Sequence, residues 1–336
     1  MGNQTIKLAE KTFLALLNPY RSVEKTFCLA LRNITDEDSA YYIGIKDRVQ
    51  IPAALLSLLK QHDFHLHTLD AQSLGGRAVD IRLQNPITGK CMTGSSSGTA
   101  INVFTGINDL GIGTDGGGSV LAPALSLNLY GFISPLICRE HVSSFAQGKS
   151  TDGLTFQTSI GFMTRSPDLL ERVLHIVFDL KYAIKSEISV LSEEELDFIA
   201  CDTKKFPSFS ATRPQQLDFL KQYLEQYDVI IAKEGPIDVN GFGDTVFGHF
   251  DETTKLIQAN ACKGLIKVAN MAGASAMVIP NEQLACGHVL ITKSNEESIQ
   301  KLLNVVKRFP VYSDELTSLY FRDLKKYVAM GYGCTE

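Results

Sequence analysis

Between Thr93 and Pro123 the chain reads TGSSSGTAINVFTGINDLGIGTDGGGSVLAP, and small side chains predominate. Segments with so little side-chain volume approach one another closely, and glycine permits backbone angles that other residues avoid. Two features stand out: a serine-rich turn at Thr93–Gly98, and Gly116-Gly117-Gly118 running directly into Ser119. Three glycines in a row expose successive backbone N–H groups. Such a row can hold a developing oxyanion when a nucleophile sits at its end. Taken alone, the triple glycine also reads as an ordinary surface turn. Gly111, Gly113 and Gly116 match the spacing of a dinucleotide-binding loop, with Glu140 downstream. The context opposes that reading, because Gly117, Gly118 and then Pro123 prevent a long helix from starting there. A phosphate-cradling loop of the Walker type is excluded, since no lysine precedes Ser119.

The rest of the chain is that of an ordinary soluble globular protein. It has 336 residues, 44% hydrophobic, 21% charged and a mean hydropathy of +0.02, enough for a sizeable core. A net charge of −5 disfavours nucleic acid as a main partner. Lys204–Lys205 and Lys325–Lys326 are solvated pairs rather than a basic patch. Seven cysteines without a C-x-x-C pair read as reduced thiols. No apolar run is long enough to span a membrane. Phe13–Leu17 is too short for a signal segment, and Ile6 occupies the position that a myristoylation site needs as Ser or Thr. The expected location is the cytoplasm.

Periodicity gives the outline of the elements. Helices are expected at Leu55–His62, entered through Pro52, at residues 98–107, and at Asp168–Leu180 after Ser166-Pro167. Another is expected at Glu296–Phe309, with Ile299, Leu302, Leu303, Val306 and Phe309 on one face. Tyr227–Ala232 and Ala285–Thr292 read as buried strands, and Glu234–Asp251 as a loop. Strands alternating with helices indicate an α/β fold.

With these residues in view, Thr93–Gly98 followed by Gly113-Thr114-Asp115-Gly116-Gly117-Gly118-Ser119-Val120-Leu121-Ala122-Pro123 resembles the amidase signature family. Its pattern reads G-G-S-S-[SG]-G and then G-[ST]-D-x-G-G-S-[IV]-x-x-P. Tyr42-Ile43-Gly44-Ile45-Lys46-Asp47 resembles the family's lysine-bearing strand. Tyr130–Pro135, Phe156–Ser166, Asn270–Ala276 and Leu284–Ile291 resemble its downstream motifs, in order. The likeness runs over residues 38–309. It implies a mixed, twisted central β-sheet covered by helices on both faces. It also implies a single α/β domain over 1–336, with 310–336 as a C-terminal extension. Departures are present: Lys46 and Ser95 are closer in sequence than is usual, Leu121 replaces a common arginine, and Thr93 replaces the first glycine.

The resemblance further implies a Ser–cis-Ser–Lys triad of Ser119, Ser95 and Lys46, with a cis peptide at Ser95. A serine hydroxyl needs a base. Lysine serves as that base only when uncharged, a form that burial favours. Gly116, Gly117 and Gly118, with the Ser119 amide, would form the oxyanion hole. Asp115 would brace the glycine loop through its side chain, and Ser96, with Ser97, would cap the following helix. The expected activity is amide-bond hydrolysis through an acyl-enzyme on Ser119. Amidotransferase-type acyl transfer, ester or lactam hydrolysis at the same site, and a catalytically silent binding subunit remain as alternatives. A small-molecule amide is the expected partner, with no cofactor, metal, nucleic acid or membrane, and a homodimer is left open. His62, His65 and His67 near Asp63 could suggest zinc but read better as a helix end running into a strand. Cys138 and Cys286 read as buried apolar residues rather than nucleophiles.

Overall fold

A computed structural model describes residues 3–27, 40–46, 49–73, 77–180 and 187–323. Its strands are β1 (Val23–Thr26), β2 (Tyr41–Lys46), β3 (Phe64–Asp70), β4 (Val79–Gln84), β5 (Cys91–Thr93), β6 (Leu110–Asp115), β7 (Tyr130–Ser134) and β8 (Gly148–Lys149). They continue as β9 (Thr155–Phe156), β10 (Ser159–Thr164), β11 (Val190–Ser192), β12 (Asp202–Thr203), β13 (Val229–Glu234), β14 (Ser275–Pro280) and β15 (Gly287–Thr292). The helices are α1 (Asn3–Leu17), α2 (Ala53–Lys60), α3 (Ser97–Phe104), α4 (Leu121–Ser126) and α5 (Arg139–Ser143). After them come α6 (Pro167–Phe178), α7 (Arg213–Leu224), α8 (Glu252–Ala259), α9 (Glu296–Val306) and α10 (Glu315–Phe321).

Eleven strands form one mixed sheet in the order β1-β3-β2-β6-β10-β7-β14-β15-β13-β11-β12. Its central strands are buried on both faces, and successive residues go to opposite sides. Ile133, Ile230, Val278 and Val289 join one apolar cluster with Ile101, Leu125 and Leu220 from α3, α4 and α7. Phe132, Ile231, Ile279 and Leu290 join the other with Leu59, Leu174 and Leu302 from α2, α6 and α9. The sheet is thus covered by helices on both faces, as the sequence led one to expect.

Several boundaries differ from the sequence reading. Pro52 stands at the N-cap of α2 rather than inside its first turn. β13 begins at Val229 and continues to Glu234, because Glu234 pairs with Gly287 of β15. The stretch that reads as a loop therefore starts one residue later, and its end meets the N-cap of α8 at Asp251. Asp47, Cys28, Cys334, Lys325–Lys326 and the end of the 310–336 extension lie outside the described residues. No helix among the described residues is long and apolar enough to cross a membrane.

Candidate active site

β2 and β6 run parallel, with Gly44 opposite Gly111 and Ile45 opposite Ile112. Lys46, the last residue of β2, is 1% exposed. Its Nζ lies 2.7 Å from Ser95 Oγ, 2.9 Å from Thr114 Oγ1 and 3.3 Å from the Thr114 carbonyl. Ser95 stands in the turn between β5 and α3, while Ser119 follows β6 and precedes α4. The Ser96 amide donates to the Ser119 carbonyl at 3.2 Å and so holds the two serine segments side by side. Both serines are half-buried. No hydrogen bond joins Ser95 Oγ to Ser119 Oγ among the described residues. The expected cis peptide at Ser95 is absent. The cis bond among the described residues is Gly235–Pro236, and Gly94, at φ +118°, turns the chain before Ser95 through trans bonds.

Close approach of α3 to β6 explains two of the glycines. A Cβ on Gly113 would lie 2.6 Å from Ser96 Oγ, and one on Gly111 would lie 2.6 Å from Thr99 Cγ2. Both glycines sit inside the strand, not in a loop at a helix N-terminus, so the dinucleotide spacing is a packing pattern. α4 spans only Leu121–Ser126, with Pro123 in its first turn.

Asp115 ends β6 and is completely buried. Its carboxylate accepts the amides of Gly118 at 2.7 Å, Val120 at 2.6 Å and Leu121 at 3.3 Å. Burial pushes this carboxyl up, against three amides and the Lys46 amine, which all favour its charged form. The Gly118 amide is therefore engaged, and the expected oxyanion hole of Gly116, Gly117 and Gly118 needs correction. The N–H groups of Gly116, Gly117 and Ser119 have no partner among the described residues. Gly118 sits at φ +99°, and a Cβ there would lie 2.9 Å from Ile266 Cγ2, so it turns the loop at a place that only glycine fits. Ser96 occupies the N-cap of α3 but makes no side-chain cap bond. Its Oγ reaches the Thr114 carbonyl at 3.4 Å, and Ser97 Oγ returns to the Gly94 carbonyl at 2.6 Å.

Other contacts brace the site through residues to which the sequence assigned no role. Asn270 lies in the stretch whose pattern resembles a downstream family motif, and its Nδ2 donates to the Gly116 carbonyl at 3.3 Å and the Gln157 carbonyl at 2.9 Å. Glu234, fully buried, accepts the amides of Gly264 and Ile266 at 2.6 and 3.1 Å. It thereby fixes the short helical turn whose Ile266 touches Gly118, and burial pushes its carboxyl up to about 7. Asp238 and Lys263 close on Thr93, two residues before Ser95, through the Thr93 hydroxyl. No local signal marks Glu234, Asp238 or Lys263, because their partners are remote in sequence.

The decoys have ordinary places. His67 is buried on β3 between Thr12 Oγ1 at 3.1 Å and Asn108 Oδ1 at 2.9 Å, and burial pulls it down to about 4. His62 is exposed beyond α2, and His65 is half-buried. No group of metal-binding side chains occurs among the described residues. Burial raises the Cys138 and Cys286 thiols, which opposes the thiolate form.

Residues 82–193, a stretch that contains Ser95, Asp115 and Ser119, match the protein-family model described as Amidase. Over that stretch the sequence is similar to the amidase family. Its fold is shared by several solved structures. Glutamyl-tRNA(Gln) amidotransferase of Thermotoga maritima superposes through its A subunit with a TM-score of 0.63 at 14% identity, covering 91% of this chain and 93% of that one. The 6-aminohexanoate cyclic dimer hydrolase superposes with a TM-score of 0.56 at 13% identity, covering 95% and 94%. Allophanate hydrolase of Kluyveromyces lactis gives 0.60 at 11% identity, covering 90% and 69%. At such identities the likeness is one of fold. No curated protein sequence matches the chain. Lys46 lies outside the matched amidase segment and reaches Ser95 only through the pairing of β2 with β6.

Proposed function

We propose that this chain hydrolyses an amide bond of a small molecule through an acyl-enzyme on Ser119. The observation that carries this reading is the 2.7 Å contact of the buried Lys46 amine with Ser95, beside Ser119, whose amide and those of Gly116 and Gly117 are unbonded among the described residues. In its neutral form Lys46 has two N–H donors and one lone pair. The donors suit the two oxygens of Thr114, and the lone pair suits the Ser95 hydroxyl.

As Ser119 Oγ attacks the acyl carbon, its proton passes to Ser95 Oγ, and the Ser95 proton passes to Lys46 Nζ. The carbonyl π electrons move onto oxygen, where the free amides of Gly116, Gly117 and Ser119 receive the charge. Collapse re-forms the carbonyl and breaks the carbon–nitrogen bond. The leaving nitrogen takes a proton back along the same relay. Water then attacks the ester on Ser119 and releases the acid. The relay closes when Ser119 Oγ comes within reach of Ser95 Oγ, since catalytic hydrogen bonds tighten with substrate present. No cofactor enters these steps. The uncombined thiols suit the cytoplasm.

A fluorophosphonate probe tests the proposal. Wild-type protein is expected to be labelled covalently and Ser119→Ala not at all. Lys46→Ala is expected to label about 10²–10⁴ times more slowly while keeping its unfolding temperature within a few degrees. Equal labelling of Lys46→Ala and wild type would remove the relay, and an unlabelled, folded wild type would leave a silent binding protein.

A further inference from the structure

We infer that Asn270 is a positioning residue that aims the Gly117 amide into the oxyanion site; the inference rests on the hydrolase reading proposed above. In a trans peptide the C=O and the following N–H point in opposite directions. A bond that fixes a carbonyl therefore fixes where the next amide points. The Gly118 carbonyl accepts the Ala122 amide at 2.9 Å as α4 begins, and this turns the Ser119 N–H away from that helix. The Gly116 carbonyl has no such backbone partner among the described residues. It is held by Asn270 Nδ2 at 3.3 Å, so the Gly117 N–H points away from Asn270, and Gly117 itself is exposed.

Asn270 is itself held on all sides. Ser159 Oγ donates to its Oδ1 at 2.5 Å, and its second Nδ2 proton goes to the Gln157 carbonyl at 2.9 Å. Two carbonyls on one side and a hydroxyl on the other leave a single orientation for the carboxamide. The side chain is 5% exposed, so water offers no substitute donor. Phe156 covers Gly116 from the side, which leaves Asn270 as the group that sets the tilt of this peptide.

The test uses the full chain with p-nitrophenyl butyrate as reporter and a trifluoromethyl ketone as mimic of the tetrahedral adduct. Asn270→Asp matches asparagine in shape but cannot donate to Gly116 when ionised. Kinetic constants are expressed per site labelled by fluorophosphonate, so unfolded protein does not count. Asn270→Asp is expected to lower kcat by about 10–10² with KM within twofold, and to weaken ketone binding by the same factor as kcat. Ser159→Ala, which removes only the hydroxyl orienting the carboxamide, is the milder variant and is expected to lose a smaller factor in the same direction. An unchanged kcat, a change in KM alone, or ketone affinity that stays constant while kcat falls would overturn the role of Asn270. A wild type that the fluorophosphonate does not label would instead overturn the hydrolase reading on which this role rests.

Discussion

Buried carboxyl groups dominate this protein at the scale of single residues. Asp70 is completely buried, its Oδ1 accepts Thr68 Oγ1 at 2.6 Å and Asn102 Nδ2 at 2.7 Å, and its Oδ2 meets no hydrogen-bond geometry among the described residues. Desolvation pushes it up to about 7, and Glu234 likewise. A carboxyl raised in the folded state binds more protons folded than unfolded between its ordinary value and the raised one. Its stabilisation is thus full below about 4 and is lost as the pH rises to about 7. His67, pulled down to about 4, acts the opposite way, losing stabilisation as the pH falls below about 6.5. The unfolding temperature is therefore expected to be higher at pH 6 than at pH 8. Asp70→Asn removes a buried charge at pH 8 and should raise stability there by on the order of a few kcal/mol, with a gain that shrinks steadily as the pH falls toward about 4. Thermal unfolding across that range checks this, and parallel curves for the two proteins would refute it. None of this was legible in the sequence: Asp70 looks like any acidic residue until α3 and β2 close around it.

At the scale of elements, the strand–helix contact between β6 and α3 sets the site. The small residues at 93–123 were readable as a place of close packing, and the structure shows what the packing does. Gly113 lets Ser96 lie on the strand, and Ser96 in turn reaches the Thr114 carbonyl. Gly113→Ala places a Cβ 2.6 Å from Ser96 Oγ, so α3 must shift away from β6. A cost of about 1–3 kcal/mol is expected. The fluorophosphonate rate should fall as well, because Ser95 precedes Ser96 and shares its displacement. A destabilised variant with the wild-type labelling rate would separate the packing from the site. The periodic helices were legible for a related reason. Ile299, Leu302 and Leu303 of α9 share one buried face, and Ser166 caps α6 by accepting the Leu169 amide. Ends were less legible, since the last residues of β13 are decided by pairing with β15.

For the whole molecule, one continuous sheet joins the two halves of the chain. Ile112 on β6 and Ile230 on β13 lie in strands five positions apart and on opposite faces. Ile112→Val and Ile230→Val should each cost about 0.5–1.5 kcal/mol. Their losses should add within about 0.5 kcal/mol, because no side chain is shared. Urea unfolding followed by two probes is expected to show one transition in all three variants; separated transitions would mean that the sheet unfolds as two units. By itself, the sequence determined the fold class and the amidase pattern, because each rests on motifs of residues close together in the chain or on a repeating apolar period. Tertiary structure alone decided that the Gly116 carbonyl belongs to Asn270, and that Glu234, Asp238 and Lys263 close around the serine segments. Those outcomes depend on which way a peptide plane or a side chain points once distant segments meet, and no local spacing encodes that direction.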